Sequence, residues 1–382
     1  MNAVAAVSGA SSRAKASDDD KILGVELLRF ACACAVLVFH YKHFAYVGAA
    51  PTHFDPSTQP FYPLLQFLYT QGFYGVEVFW CISGFIFYWK YARAIAERKV
   101  GGYKFFALRF SRLYPLHLTT LLLVAVLQYA YFRQTGMQFV YQHNDLPRFV
   151  LQLFMASNWL TPAESFDGPI WSISLEVLVY ALFFLTVRYV SKSPFLAAAI
   201  ALLAALVQVL KVSVNPVFPC VMFFYLGCVC ATVYDGTQRD RRLGNLASIA
   251  AAVLLFGAIA IETTLHVHAK YFLVVCEPCL VFLAVRHMPS HESVTRLLVP
   301  AGNMTYSSYL LHFPIQLATV TVFAWLGRPV PVGSPVLFLS FMAVTLFLAY
   351  WTYRLFELPA QKQIRILLLQ SRTQKTLAPK PT

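Results

Sequence analysis

Long apolar runs recur along almost the whole chain, separated by short polar or basic segments. A helix needs about 20 mostly apolar residues to cross a bilayer. The chain has ten such segments, at residues 24–44, 73–92, 112–132, 170–188, 194–211, 216–234, 246–262, 268–286, 304–326 and 333–353. The runs are too long, and alternate too little, for a transmembrane β-barrel. The pattern predicts an all-α polytopic membrane protein with about ten transmembrane helices.

Composition supports this fold class. Of 382 residues, 58% are hydrophobic and 12% are charged, and the mean hydropathy is +0.60. These values are typical of an integral membrane protein and exclude an ordinary soluble globular domain.

The distribution of basic residues predicts the orientation. If the N-terminus is cytoplasmic, 23 of the 30 Lys and Arg residues fall in cytoplasmic segments and 6 in outer loops, while Arg29 lies within a span. This asymmetry favours ten helices with both termini in the cytoplasm. The net charge of +13 is therefore explained by topology, and no nucleic-acid partner is expected.

One membrane domain is predicted, over residues 24–357. Residues 1–23 lack the features of a signal peptide and are expected to form a disordered cytoplasmic lead, and residues 358–382 a basic cytoplasmic tail. The eight cysteines all lie in apolar segments, where thiols commonly pack as small hydrophobic groups. Cys276 and Cys279 form a lone CxxC pair without a second pair or a histidine array, so no metal site is predicted.

The longest outer connection, residues 133–169, contains the apolar piece "LPRFVLQLFMASNWL". This piece is too short to cross the bilayer and is expected to dip into its outer surface or to lie on it. With Asn158, Trp159, Asp167 and the nearby Trp171, the connection is a candidate cover for a polar ligand. An interfacial helix with an aromatic belt is the alternative interpretation.

Arg29 and His40 raise the question of function, because both lie in the first apolar segment. They are 11 residues apart, so on a helix they share one stripe and differ in depth by about 16 Å. Charged groups within spans usually face a cavity or a partner. The structural alternatives are an ion pair between Arg29 and Glu26, and an interfacial role for His40.

Two carboxylates are predicted at a depth similar to that of His40. Glu77 lies near the outer end of the second span, and Glu176 lies about two turns into the fourth span from the same side. A histidine that accepts a proton, with a carboxylate to orient it or to stabilise its cation, is suited to activating a hydroxyl group. The alternative is that both carboxylates serve only helix packing.

Arg109 and Arg112 lie in the basic connection between the second and third spans. If that stretch is helical, their spacing places them on one face. Arginine forks match phosphate groups. Ordinary enrichment of positive charge in cytoplasmic segments explains the basicity equally well.

Five motifs occur in order: "GVELLRFACACAVLVFHY", "GVEVFWCISGFIF", "RFSRLYPLH", "WSISLEVLVY" and "MTYSSYLLHFPI". Together they resemble the type-3 integral membrane acyltransferase family, from residue 24 to about 357. The resemblance implies that His40 is catalytic, that Glu176 is its partner, and that Arg29, Arg109 and Arg112 serve the CoA side. The chain departs from the commoner pattern at Glu77, where Asp is frequent, and at "LLRF", where Gly often follows Arg.

The resemblance also implies the reaction. An acyl group, expected to be acetyl, would pass from cytoplasmic acyl-CoA to a hydroxyl of a sugar, polysaccharide precursor, lipid-linked glycan or macrolide. No permanently bound cofactor is expected, and the location would be the bacterial inner membrane. We expect Glu77 to assist His40, and Asn158, Trp171 and His312 to line the acceptor path. For His312, which precedes Pro314 by two residues, a purely structural role is the alternative. The rival functions are a proton-coupled transporter and a flippase-like partner in glycan export.

Overall fold

The computed structural model of the protein describes residues 22–52, 54–159, 164–265, 270–288 and 291–370. Its helices are α1 Leu23–His40, α2 Tyr62–Gln71, α3 Gly75–Ala96, α4 Gly102–Thr135, α5 Leu146–Leu153, α6 Ile170–Val190, α7 Pro194–Val209, α8 Val217–Thr237, α9 Arg241–Leu265, α10 Lys270–His287, α11 Glu292–Asn303, α12 Thr305–Trp325, α13 Pro335–Thr352 and α14 Leu358–Arg365. A 3₁₀ turn, Tyr41–Ala45, leads from α1 into a hairpin of two short antiparallel strands, β1 Tyr46–Val47 and β2 Ala50–Pro51. Most of the predicted lead and the end of the predicted tail lie outside the described residues.

Each of the ten predicted spans coincides with a helix. Within the described residues, six segments are long and apolar enough to cross a membrane: Leu23–Ala45, Gly102–Thr135, Ile170–Val190, Val217–Thr237, Arg241–Thr264 and Pro335–Leu369. Helix α7 is shorter than these segments. Helix α10 contains three charged residues: Lys270, Glu277 and Arg286. The all-α membrane architecture is thus consistent with the prediction, while the count of ten crossings and the orientation of the termini stay predictions.

Helix α4 is longer than the third predicted span. It has 34 residues and begins after Gly101, ten residues before the predicted start at 112. A helix of this length extends about 51 Å, whereas the hydrocarbon core is about 30 Å thick. Its first turns therefore do not need to be apolar, and Arg109 and Arg112 lie on a helix, as their spacing requires.

Helices α3 and α8 pack at glycines. A Cβ added to Gly84 of α3 would lie 1.7 Å from the carbonyl oxygen of Phe224, and one added to Gly227 of α8 would lie 2.0 Å from that of Cys81. Backbones approach this closely only where the side chain is missing, as in other membrane helix pairs. This contact fixes α3, which carries part of the site, against the hydrophobic core.

The connection that was predicted to lie on the outer side, residues 133–169, holds a short helix. Helix α5 has eight residues, and the Asp145 side chain accepts a hydrogen bond of 3.0 Å from the backbone N–H of Arg148 at its start. His117 of α4 donates through Nε2 to the carbonyl of Gln152 at 2.7 Å. The helix is therefore tied to α4, which agrees with a segment too short to cross.

Candidate active site

A cavity of about 130 Å³ lies among α1, α3, α4, α6 and α12. Its polar lining brings together residues from five separate sequence motifs: Arg29, Ser83, Arg109, Arg112, Ser172, Glu176, Tyr180, Thr305, Tyr306 and Tyr309. All three arginines that were predicted to bind the donor thus share one cavity with Glu176, one of the two predicted catalytic carboxylates.

Arg29 pairs with Glu26 and also lines the cavity. Its Nη1 donates to Glu26 Oε2 at 3.1 Å, and the side chains are 12% and 8% exposed. Gly302 of α11 leaves the space that the carboxylate occupies, because a Cβ there would lie 1.8 Å from Glu26 Oε2. The ion pair considered as an alternative is therefore present, and it positions Arg29 rather than removing it from the cavity.

Arg109 is held by aromatic rings. Its Nη2 donates to the Tyr91 hydroxyl at 2.5 Å, and its guanidinium carbon lies 4.8 Å from the centroid of the Phe87 ring and 5.0 Å from that of Tyr91. Its buried Nε has no hydrogen-bond partner among the described residues. Arg112, three residues later, is exposed and lines the same cavity. This arrangement presents two positive charges at different depths, with donor capacity left for an anion.

Glu176 belongs with the arginines. Ser83 donates a hydrogen bond to Glu176 Oε1, Tyr180 lies beside the same carboxylate, and Arg112 and Arg109 stabilise its charge. No hydrogen bond joins Glu176 to His40 in the described part of the chain. Six residues separate Glu176 from the start of α6 at Ile170, about 9 Å along the axis, whereas His40 is the last residue of α1. Its predicted role as the partner of His40 stays a prediction without a contact to support it.

His40 lies in a cluster of three imidazoles. Its ring centroid is 4.9 Å from that of His312 and 5.0 Å from that of His43. Its Nδ1 donates to the carbonyl of Val36 at 2.9 Å. Because a carbonyl only accepts, this bond places the proton on Nδ1 and leaves the lone pair on Nε2. The neutral ring is thus in the tautomer that a general base requires.

Tyr309 connects the histidine cluster with the cavity. Its ring centroid lies 5.9 Å from that of His312, and its hydroxyl shares a hydrogen bond of 2.8 Å with Ser172 Oγ. Both Tyr309 and Ser172 line the cavity. The arginines and His40 therefore face two neighbouring regions that are separated by the side chains of α12.

Asp167 is a buried carboxyl group outside the spans. It is fully buried, and neither oxygen accepts a hydrogen bond within the described residues. Burial raises the pKa of Asp167 to about 7, and the nearby Thr120 hydroxyl only partly offsets this effect. The charge of Asp167 also acts on Tyr309. Asp167 therefore lies near the bonded pair of Tyr309 and Ser172, between the cavity and the histidine cluster.

The remaining predicted residues lie around these two regions. The Trp171 ring meets Trp80 of the cavity wall edge-on at 5.8 Å. Asn158 is buried; its backbone N–H donates to Ser174 Oγ at 3.2 Å, and its side-chain oxygen has no partner among the described residues. Glu77 interacts electrostatically with Glu277 of α10 and is not among the described residues that line the cavity; its predicted role beside His40 stays a prediction.

Several functional candidates were missed by the sequence analysis, including His43, Tyr309, Gln316, Ser83 and Glu277. Tyr309, His312 and Gln316 follow the i, i+3, i+7 spacing of one helix face, so their shared face was readable. Gln316 Nε2 donates to the His40 carbonyl at 2.8 Å. Ser83 and Glu277 gave no such signal, since each is a single polar residue in an apolar run.

Comparison with known proteins identifies the family of the chain. Residues 22–354 match the family described as "Acyltransferase domain". Acyltransferase MdmB of Streptomyces mycarofaciens is 32% identical over 128 residues, which cover 33% of this chain and 31% of that protein. The aligned region thus spans about a third of the length of this curated relative. No solved structure is significantly similar. Because the family match extends over most of the chain, the protein belongs to this acyltransferase family.

Proposed function

We propose that the protein is an O-acyltransferase of the bacterial inner membrane. It moves an acyl group, expected to be acetyl, from cytoplasmic acyl-CoA to a hydroxyl of a sugar, polysaccharide precursor or other glycan-like acceptor on the outer side. The observation that carries this proposal is the cavity with three arginines beside a histidine cluster whose His40 Nε2 is free to accept a proton.

The arginine cavity is suited to the donor. Acyl-CoA carries several phosphate groups and a thin arm that ends in the thioester. Arg112 at the exposed edge and Arg109 deeper in the cavity offer paired donors to phosphate. Arg29 lies about 16 Å below His40 along α1, a span that an extended pantetheine arm can bridge. The arm would pass Tyr309 to bring the thioester to His40.

His40 would act as a general base. Its Nε2 takes the proton from the acceptor hydroxyl while the hydroxyl oxygen attacks the thioester carbonyl carbon. The tetrahedral intermediate collapses to the ester, the C–S bond breaks, and the CoA thiolate takes the proton back from His40. The Nδ1–H bond to Val36 orients the ring through each step. A transient acyl group on Nε2 is the covalent variant of the same arrangement.

Glu176 has a different role in this proposal from the one expected from sequence. It offsets part of the positive charge of Arg109 and Arg112, and its bond from Ser83 connects α6 with α3. Asn158, Trp171 and His312 remain the proposed contacts for the acceptor. His312 is the best supported of these, because its ring lies against that of His40.

The test is a transfer assay with purified protein. The protein in lipid nanodiscs is incubated with acetyl-CoA labelled in the acetyl group and with a glycan acceptor, and labelled ester and free CoA thiol are both measured. The proposal expects the two products in equal amounts. Thiol without ester would indicate hydrolysis only. The absence of both products, together with movement of the glycan across the membrane of proteoliposomes that contain the protein, would favour the flippase-like alternative.

A further inference from the structure

The helical segment 353–370 packs against the cytoplasmic part of the predicted donor site. Helix α13 continues through a π-helical turn, Tyr353–Glu357, into α14 without a break. Ser307 Oγ donates to the buried Glu357 Oε2 at 2.9 Å, and the Tyr103 hydroxyl donates to the Leu368 carbonyl at 2.9 Å. The segment is thus anchored to α12 and α4. Its residues after 354 lie beyond the family match.

Arg365, the last residue of α14, lies beside the two arginines of α4. Its Nε donates to Ser111 Oγ at 3.2 Å, and Ser111 directly precedes Arg112 in the sequence. Arg365 is half-buried and is close enough to Arg109 and Arg112 to be repelled by both. Arg112 in turn repels Arg29. Electrostatic repulsion therefore links four guanidinium groups, those of Arg29, Arg109, Arg112 and Arg365.

Arg29 is paired with Glu26, whereas no carboxylate forms an ion pair with the other three arginines within the described residues. Among the described residues, no Asp or Glu oxygen lies within 4.0 Å of the guanidinium nitrogens of Arg109, Arg112 or Arg365. Glu176 and Glu357 act on the arginines only at longer range, and each accepts a hydrogen bond from a serine. Like charges gathered in a partly buried place raise the electrostatic energy unless an anion joins them. Such an arrangement is typical of a binding site for phosphate.

We propose that Arg365 binds a phosphate group of the acyl-CoA donor together with Arg112, and that segment 353–370 forms one wall of the donor site. The inference rests on the proposed donor. It adds to the three arginines of the motifs a fourth one, held in place by Ser111. Arginine suits this position because its Nε bonds Ser111 while its two terminal nitrogens remain able to form a fork to phosphate.

The test is the affinity of the full-length protein for CoA, measured by calorimetry in a neutral detergent. Arg365→Ala should weaken CoA binding by about 10- to 100-fold, the range of a charge-assisted hydrogen-bonded pair, while pantetheine, which lacks phosphate, should bind as to the wild type. The CoA affinity of Arg365→Lys should lie between those of Arg365→Ala and the wild type, because lysine keeps the charge but cannot form the two-pronged bond to phosphate. Lys362→Ala removes an exposed charge from the same helix and should leave the affinity within twofold.

Two further variants and ligands separate the explanations. Tyr103→Phe removes an anchor of the segment without changing charge; if it weakens CoA binding as much as Arg365→Ala, anchoring rather than phosphate contact is responsible and the inference is wrong. Unchanged CoA affinity in Arg365→Ala would overturn the inference; if the variant then binds short-chain phosphatidylglycerol in the same detergent more weakly than the wild type, the arginine belongs to a lipid headgroup. A wild-type protein that does not bind CoA would refute both the donor assignment and this inference, whereas a failure of Arg365→Ala alone leaves the proposed function standing.

Discussion

Gly302 offers a test of the arginine cavity that touches no proposed ligand contact. The Glu26 carboxylate occupies the place where a side chain at position 302 would begin, with Oε2 at 1.8 Å, Cβ at 2.7 Å and Cδ at 2.8 Å from the added Cβ. Ordinary contacts between such atoms are about 3.5 Å or longer. In Gly302→Ala, the Glu26 side chain must therefore move by roughly 1.5 Å or more.

This movement breaks or displaces the ion pair that holds Arg29. The bond from Arg29 Nη1 to Glu26 Oε2 is 3.1 Å long and well shielded from water. Hydrogen bonds to charged groups contribute about 1.5–3 kcal/mol. If Arg29 positions the donor, the donor KM should rise by about 10- to 100-fold, at 1.4 kcal/mol for each factor of ten. The rate at saturating donor should change less, because His40 is untouched.

The assay is the dependence of acetyl transfer on acetyl-CoA concentration, normalised to folded protein. Gly257→Ala in α9 is the matched control, because a Cβ there meets nothing within 4 Å. Alanine is favoured over glycine within a helix by up to about 1 kcal/mol, so the control should be neutral or slightly stabilised. A donor KM for Gly302→Ala within twofold of that of Gly257→Ala would refute the reasoning.

Three further predictions follow from separate parts of the structure. Arg109→Ala combined with Arg112→Ala should raise the donor KM more than it lowers kcat, because phosphate contacts stabilise the ground and transition states about equally; a collapse of kcat at unchanged KM would contradict this. The raised pKa of Asp167, about 7 against the ordinary 3.8, means that the folded protein binds an extra proton between these values, so stability should fall as pH rises from about 4 to about 7. Asp167→Asn should remove that slope in thermal unfolding, and an identical slope in both proteins would refute the assignment. Gly84→Ala should lower the unfolding temperature, because its Cβ would lie 1.7 Å from a backbone carbonyl oxygen and overpacking costs about 1–3 kcal/mol or more. The control Gly236→Ala should leave the unfolding temperature unchanged, because a Cβ there meets nothing within 4 Å. Equal shifts in the two variants would argue against the close packing of α3 and α8.

The sequence predicted the helices well because hydrophobicity along the chain decides them. It placed the start of the third span at 112, whereas α4 begins at Gly102. A hydropathy argument identifies only the part of a helix that hydrocarbon covers, and the first turns of α4 contain Lys104 and Arg109. Such polar turns can still be helical, and here they carry Arg109, one of the arginines proposed to bind the donor.

The site was only partly predictable. The shared stripe of Arg29 and His40 followed from the helical period, and the helix spacing brought Arg109 and Arg112 together. The place of Glu176 beside Ser83 in the cavity with the arginines did not follow, because counting residues from a helix end fixes depth only along that helix. Glu277, buried beside Glu77, depends on how α10 packs against the other helices, which a single sequence does not specify.

The catalytic assignment of His40 is tested most directly by acetyl transfer from acetyl-CoA per folded molecule in His40→Ala. The matched control is His291→Ala, which removes an exposed histidine at the start of α11. Loss of a general base typically lowers the rate by about 100- to 10,000-fold, and we expect His40→Ala to lie in that range. CoA binding, which we propose to depend on the arginines, should stay measurable in this variant. Transfer by His40→Ala within about threefold of the control, well outside the general-base range, would contradict the account.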